Sequence, residues 1–492
     1  MADTVPRVSG RGRGEVLTAD IVVVGAGAAG LYAALTAAGA GARVAVVSAT
    51  PLAQTASYWA QGGLAAALAV DDSPELHLED TERAGRGLMR ASAGELLVRE
   101  APRLIAELQR LRVRFDADRT GNLELGLEGG HSRRRIVHAG GSATGRRLLR
   151  QLSANIVRHE KIQVLETTRV SGLWRDGTRV VGVLCDDGLA VSARGTILAT
   201  GGAAALWART TNPPGSLGIG MQLAHQAGAA LADMELVQFH PTAVTGVPGR
   251  EGFLVTEAIR GEGATLHGPD GERFVDELAP RDEVARAIWG LMQSEHVPSV
   301  SLDMRAVDPS RFPNVVDALR ASGLDPANEL VPVAPAAHYV MGGVACDLHG
   351  ATGVAGLYVV GETACTGLHG ANRLASNSLS ECVVFGERAA LAALTEESHP
   401  VGSPSTAQPL LSPSQDTRAA LWRDAGLVRD REGLERLLQD EHPLARVVAG
   451  CALLREETRG AHVRSDFPQT SPELDRMHVV VRDDKPSFER WL

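Results

Sequence analysis

The chain has 492 residues, far more than one small core needs, so two or three domains are expected. Its apolar share of 44% is ordinary for a globular protein, and a formal net charge of −10 gives no basic field for nucleic acid or an anionic membrane surface. No run approaches the ~18–20 apolar residues that span a bilayer, and five cysteines without CxxC spacing read as reduced thiols of a cytoplasmic protein.

Residues 1–18 are polar with Gly and Arg repeats, a flexible leader and not a signal peptide. Ile21-Val22-Val23-Val24 is a β-branched run too short for a helix and suited to a buried parallel strand. Gly25-Ala26-Gly27-Ala28-Ala29-Gly30 follows, then Leu31 to Ala38 with helical character, and a second strand from Arg43 to Val47. GxGxxG between strand and helix predicts a dinucleotide site: a tight turn, a close backbone approach to pyrophosphate, and a helix dipole facing the phosphates. At the end of the second strand, where an acid usually holds the ribose, stand Ser48, Ala49 and Thr50, whose hydroxyls would substitute weakly. The small-residue loop Ser57-Tyr58-Trp59-Ala60-Gln61-Gly62-Gly63 can lie flat against a planar ring, which favours FAD over NAD. Thr196 to Gly202 and Gly356 to Glu362 each read as an apolar strand ending in glycine, as in flavoproteins of the two-dinucleotide type. His131 and His138 lack a third ligand at suitable spacing, so no metal site is expected. Arg133-Arg134-Arg135 has no aromatic interleaving and reads as a solvated face or an anion-attracting rim.

Six further motifs stand in order. They are Glu128-Gly-Gly-His-Ser, Gln238-Phe-His240-Pro-Thr242, Thr256-Glu257-Ala-Ile-Arg260-Gly-Glu262-Gly, Ala279-Pro-Arg281-Asp282, His338-Tyr339, and Gly370-Ala-Asn-Arg373-Leu-Ala-Ser-Asn-Ser378-Leu379. With these, from about Asp20 to Ala390 and with a weaker echo at Leu454 to Pro468, the chain resembles the succinate dehydrogenase/fumarate reductase flavoprotein family. Within it the likeness is to the branch that oxidises L-aspartate. The resemblance implies that Glu362, Ser378 and Leu379 join the glycine turn and the 57–63 loop in holding FAD. A dicarboxylate needs cations and donors at both ends. Arg373 and His338 would clamp one carboxylate and His240 and Thr256 the other, with charge-assisted bonds worth roughly 1.5–3 kcal/mol each. Arg281 resembles the family's proton-transferring arginine; alternatively it pairs with the adjacent Asp282. Arg260 and Arg373 could be surface charges and Glu128 a solvated loop acid.

Two features separate the chain from the respiratory members of that family. Those attach FAD through a histidine at the place of Ala56, so noncovalent FAD is expected here. They also carry an aromatic residue in place of Glu128, whose carboxylate would receive a substrate ammonium. Three departures from the aspartate-oxidising pattern remain: Ala49 for a lysine, Leu217 for an acid near FAD, and a short connection from Phe274 to Leu278. The first two bear on FAD affinity and the third on how Arg281 is presented.

The expected architecture is α/β: a leader at 1–18, a Rossmann-like FAD-binding domain at 19–233 and 340–400, and an α+β capping domain at 234–339. A linker at 401–416 and a C-terminal helical domain at 417–492 complete it, with helical spacing over Ala419–Leu438 and Leu444–Thr458. The resemblance implies oxidation of L-aspartate to iminoaspartate with fumarate or O2 as acceptor, feeding quinolinate synthase at the first step of de novo NAD biosynthesis. The alternatives are a flavoprotein subunit passing electrons to an iron–sulfur partner, and a flavin-poor relative with a binding role.

Overall fold

The computed structural model describes residues 15–52, 54–399, 402–404 and 407–492. Ile21–Val24 is buried along its whole length at the centre of a five-stranded parallel sheet. The strand order is Leu357–Val359, Gly195–Leu198, Ile21–Val24, Val44–Val47, Ile162–Leu165. Parallel neighbours need a crossover, and the first is the helix Ala28–Gly39, which shares a core with the helix Asn377–Ala393. The two strands expected to end in glycine are therefore neighbours, with Thr196 opposite Leu357.

Val237–Val244, Val331–Val340, Val300–Asp303 and Thr265–His267 form a separate antiparallel sheet. The helices Arg281–Ser294 and Pro313–Arg320 complete that sheet's own hydrophobic core. Val237–Val244 is buried throughout, yet its register with Val331–Val340 shifts on both sides of Phe239–His240. Pro241 cannot donate to the ladder, and such irregularities re-aim side chains. They fall where Gln238 and His240 leave the strand.

Three expectations are corrected. Residues 1–14 of the leader lie outside the described residues, but Val16–Thr18 is a strand paired in parallel with Ala190–Ser192, where Leu17 reaches the core. Of the linker, residues 401, 405 and 406 lie outside the described residues. The part that follows is docked, since Gln222 exchanges hydrogen bonds with the backbone of Leu411 at 3.0 and 3.1 Å, and a helix begins at Gln415. The C-terminal segment has the helices Gln415–Asp424, Arg431–Leu437 and Pro443–Leu454, but then a hairpin, Met477–Arg482 with Lys485–Arg490. Asp483 and Asp484 both adopt positive φ, as a two-residue hairpin turn matching strand twist requires. The hairpin extends a sheet containing Leu231–Ala232, Gly343–Ala345 and Ala364–Cys365. Among the described residues no helix is long and apolar enough to cross a membrane.

Candidate active site

The glycine turn is built for close approach. Gly25 has φ +113°, and a Cβ there would lie 2.1 Å from the Ala199 carbonyl oxygen. A Cβ on Gly30 would lie 2.1 Å from the Gly25 oxygen. Gly27 caps the Ala28–Gly39 helix without a side chain, and the Ala28 N–H donates to Ser57 Oγ at 3.2 Å. That bond ties the turn to the 57–63 loop, of which Ala56–Trp59 is a 3-10 turn. Ser48 does not offer its hydroxyl outward, since it donates to the Thr50 carbonyl at 2.6 Å. Leu217 packs on the hydrophobic core.

Glu362 follows the Leu357–Val359 strand. Burial pushes its carboxyl up to about 8, with partial relief from the Val340 N–H at 3.1 Å. It lies against Gly202, where a Cβ would come within 2.2 Å of Oε1. A desolvated acid beside a glycine cradle and a helix N-terminus fits a polyhydroxylated dinucleotide such as FAD. Among the described residues no group of three or more His, Cys, Asp or Glu side chains is arranged to hold a metal ion.

Beside this cradle sits a cationic cluster whose hub is Gln238. Its Oε1 accepts from Arg281 Nη1 at 3.0 Å and from Arg373 Nε and Nη2 at 3.3 and 3.1 Å. Its Nε2 donates to Asn372 Oδ1 and the Arg373 carbonyl. Arg373 is 5% exposed, donates to Ser378 Oγ at 2.7 Å, and stacks 4.3 Å over the Tyr339 ring. Burial and the neighbouring Arg281 lower it to about 10, still a cation near neutrality. Three of its five N–H donors are used within the protein, which leaves two for a ligand.

Arg281 opens the Arg281–Ser294 helix and donates through Nε to Glu257 Oε2 at 2.6 Å. It does not pair with Asp282, which binds Arg86 at 3.1 Å and Asn372 at 3.0 Å. Burial alone would raise the Glu257 carboxyl, but the guanidinium groups of Arg281 and Arg260 hold it below the usual range. Arg260 is buried, not a surface charge; its Nη2 lies 3.4 Å from Glu257 Oε1 and its Nη1 donates to the Glu277 carbonyl. Glu277 also accepts from the Leu266 N–H at 2.9 Å, so the short Phe274–Leu278 connection is pinned where it presents Arg281.

His240 and His338 face each other from paired strands, with ring centroids 5.0 Å apart. His240 Nδ1 accepts from the Thr242 N–H at 3.2 Å, which leaves Nε2 to carry the proton of the neutral ring. Burial, then the charge of Arg281, keeps His240 well below the ordinary histidine value; burial and Arg373 do the same for His338. Both are neutral hydrogen-bonding groups at neutral pH. His338 Nδ1 meets Thr211 Oγ1 at 2.7 Å. Thr256 is buried at the start of the Glu257–Gly261 helix and its hydroxyl makes no capping bond.

Glu128 is a buried acid, 2% exposed, and not a solvated one. Its Oε2 accepts from Ser376 Oγ at 2.7 Å, while Oε1 has no hydrogen-bond partner among the described residues. The loop is fastened from behind. Arg135, fully buried and not part of a solvated face, pairs with Asp72 at 2.9 Å and Asp80 at 2.6 Å. Asp80 also accepts from the Ser132 N–H and hydroxyl. A Cβ on Gly129 would lie 2.1 Å from Glu257 Oε1, so only glycine lets that carboxylate come so close. Arg281, Arg373, His240 and His338 are thus neighbours, and Gln238, Glu257 and Arg260, for which no role was expected, join them, while Ser376 stands behind Glu128. They stood inside the motifs, yet their partners are distant in sequence.

A family profile described as an FAD binding domain matches residues 20–379, and one described as the fumarate reductase flavoprotein C-terminus matches 437–492. The L-aspartate oxidase of Caulobacter vibrioides is 45% identical, covering 95% of this chain and 97% of its own. That of Streptomyces coelicolor is 42% identical over 98% and 94%. Among solved structures, E. coli quinol fumarate reductase FrdA superposes with a TM-score of 0.87 at 28% identity over 96% of each chain. Mycobacterium smegmatis Sdh1 gives 0.83 at 29% over 97% and 95%. The chain belongs to the L-aspartate oxidase family, within the flavoproteins related to succinate dehydrogenase and fumarate reductase.

Proposed function

We propose that the protein is an FAD-dependent L-aspartate oxidase forming iminoaspartate, with dioxygen or fumarate as acceptor, at the first step of NAD biosynthesis through quinolinate. The single observation that carries the choice of an amino diacid is the buried Glu128 carboxylate, one oxygen of which has no hydrogen-bond partner among the described residues. A plain diacid offers that oxygen no hydrogen-bond donor; an α-ammonium supplies one. The relatives that cover nearly the whole chain at 39–45% identity support the same reading. A flavoprotein subunit that needs an iron–sulfur partner is the less specific alternative.

Gly25 to Gly30, the 57–63 loop, Glu362 and the start of the Asn377–Ala393 helix at Ser378 and Leu379 would hold FAD. Bound FAD supplies the two-electron acceptor for oxidation at Cα. The free N–H groups of Arg373, with His338, would hold one carboxylate; His240 Nε2–H and Thr256 would hold the other. Glu128 Oε1 accepts from the ammonium and, as general base, takes one of its protons, so that the amine is neutral when Cα is oxidised. In fumarate reduction Arg281 delivers a proton to carbon, and a proton from solvent, passed through the Glu257 carboxylate that accepts from Arg281 Nε, restores it. Ala56 offers no nucleophile, so FAD is held noncovalently. Cysteines without CxxC spacing support a cytoplasmic location, where the product can pass to quinolinate synthase.

FAD-loaded protein in air should give hydrogen peroxide with L-aspartate and none with succinate. Peroxide from succinate but not from aspartate would overturn the proposal.

A further inference from the structure

Ser376 sits between the Glu128 carboxylate and the 57–63 loop. Its Oγ accepts from the Gly63 N–H at 3.0 Å and donates to Glu128 Oε2 at 2.7 Å. The direction of this chain follows from the Gly63 amide, which can only donate, so the hydroxyl accepts there and its own proton is left for the Glu128 oxygen. Both ends are buried. The space around the hydroxyl is equally defined: a Cβ on Gly62 would stand 3.1 Å from Ser376 Oγ and 3.5 Å from Glu128 Oε1.

The backbone of Ser376 is unusual. It adopts φ 60°, ψ 2°, in the left-handed region, at the start of the Asn377–Ala393 helix. A serine is disfavoured there and a glycine is not. Its carbonyl accepts from the Ala65 N–H at 3.1 Å, a bond that any residue could make. What serine adds to this position is its hydroxyl, and the hydroxyl is committed to Glu128.

We infer that Ser376 is the positioning residue for amino-diacid selectivity: it fixes the Glu128 carboxylate with Oε2 occupied and Oε1 open, and registers it to the loop at Gly62–Gly63. This rests on the reading of Glu128 as the ammonium acceptor. Without the hydroxyl, a buried carboxylate loses a charge-assisted bond and a rotamer restraint, and its open oxygen no longer holds one place. Among the described residues the groups proposed to bind the two carboxylates make no hydrogen bond to Ser376, so a ligand without an ammonium should sense the change far less.

Ser376→Gly tests this, since glycine suits the positive φ and the fold is retained. The expected result is a fall of roughly tenfold in kcat/KM for aspartate. Fumarate reduction, and the succinate Kd read from perturbation of the flavin spectrum, should change far less. In a Glu128→Gln background the same substitution should have no further effect on aspartate, because neighbours acting through one another are not additive. Equal losses with aspartate and fumarate, a succinate Kd weakened as much as aspartate turnover falls, or full additivity in the double variant would overturn the inference. A parent protein that does not oxidise aspartate would instead refute the function itself.

Discussion

Glu128→Gln keeps the volume of the side chain and removes one charge. Ser376 can still donate to the amide oxygen, which turns the amide NH2 toward the place of Oε1. There it meets a substrate ammonium donor to donor. The lost interaction is a hydrogen bond between charged partners at a site 2% exposed, worth roughly 1.5–3 kcal/mol. At 1.36 kcal/mol per decade, kcat/KM for aspartate should fall roughly 10- to 150-fold. Fumarate carries no ammonium, so its reduction should be preserved or improved once a desolvated negative charge leaves a site for a dianion. The assay is peroxide release with aspartate against dye-coupled fumarate reduction on one preparation. Because both use the same clamp and cofactor, the ratio controls for folding. A matching loss of both activities would make Glu128 structural and refute the reasoning.

Arg281→Ala should leave folded protein with fumarate reduction down roughly 10²–10⁴-fold, the usual contribution of a positioned proton donor. Aspartate oxidation should fall less, and an equal, near-complete loss of both would make Arg281 a binding group. Denaturing the FAD-loaded protein should send its flavin through an ultrafiltration membrane, since Ala56 has no group that could link it; yellow retained on the denatured chain would contradict this. For FAD-free protein the urea midpoint should drop between pH 7 and pH 5. His131 and His240 are held below the ordinary histidine value mainly by burial, and His77 at about 3. The unfolded chain takes up protons as pH falls through about 6.5 while the folded chain does not, so stability is lost on that side. An unchanged midpoint from pH 7 to 5 would refute it.

The nucleotide half was legible because its signals are local. Strand, glycine turn and helix lie within residues 21–39, and the β-branched run and the spacing of the glycines define each other. The clamp residues were legible as motifs. What joins them was not: Gln238 binds Arg281 43 residues away and Arg373 135 residues away, and no local pattern carries that pairing. Arg135 looked like one third of an exposed basic triplet, because the acids that bury it, Asp72 and Asp80, lie on another segment. The C-terminal hairpin was hidden by its charges. Val479 to Val481 is β-branched and apolar, but the run is short and the turn at Asp483–Asp484 and the outer strand are charged, so the segment reads as part of the C-terminal helical domain.

The most direct test of an amino-diacid site is anaerobic mixing of the FAD-loaded protein with L-aspartate and, separately, with succinate, following flavin absorbance. The account predicts that aspartate bleaches the flavin and that succinate perturbs its spectrum without bleaching it. Bleaching by succinate but not by aspartate would contradict the account.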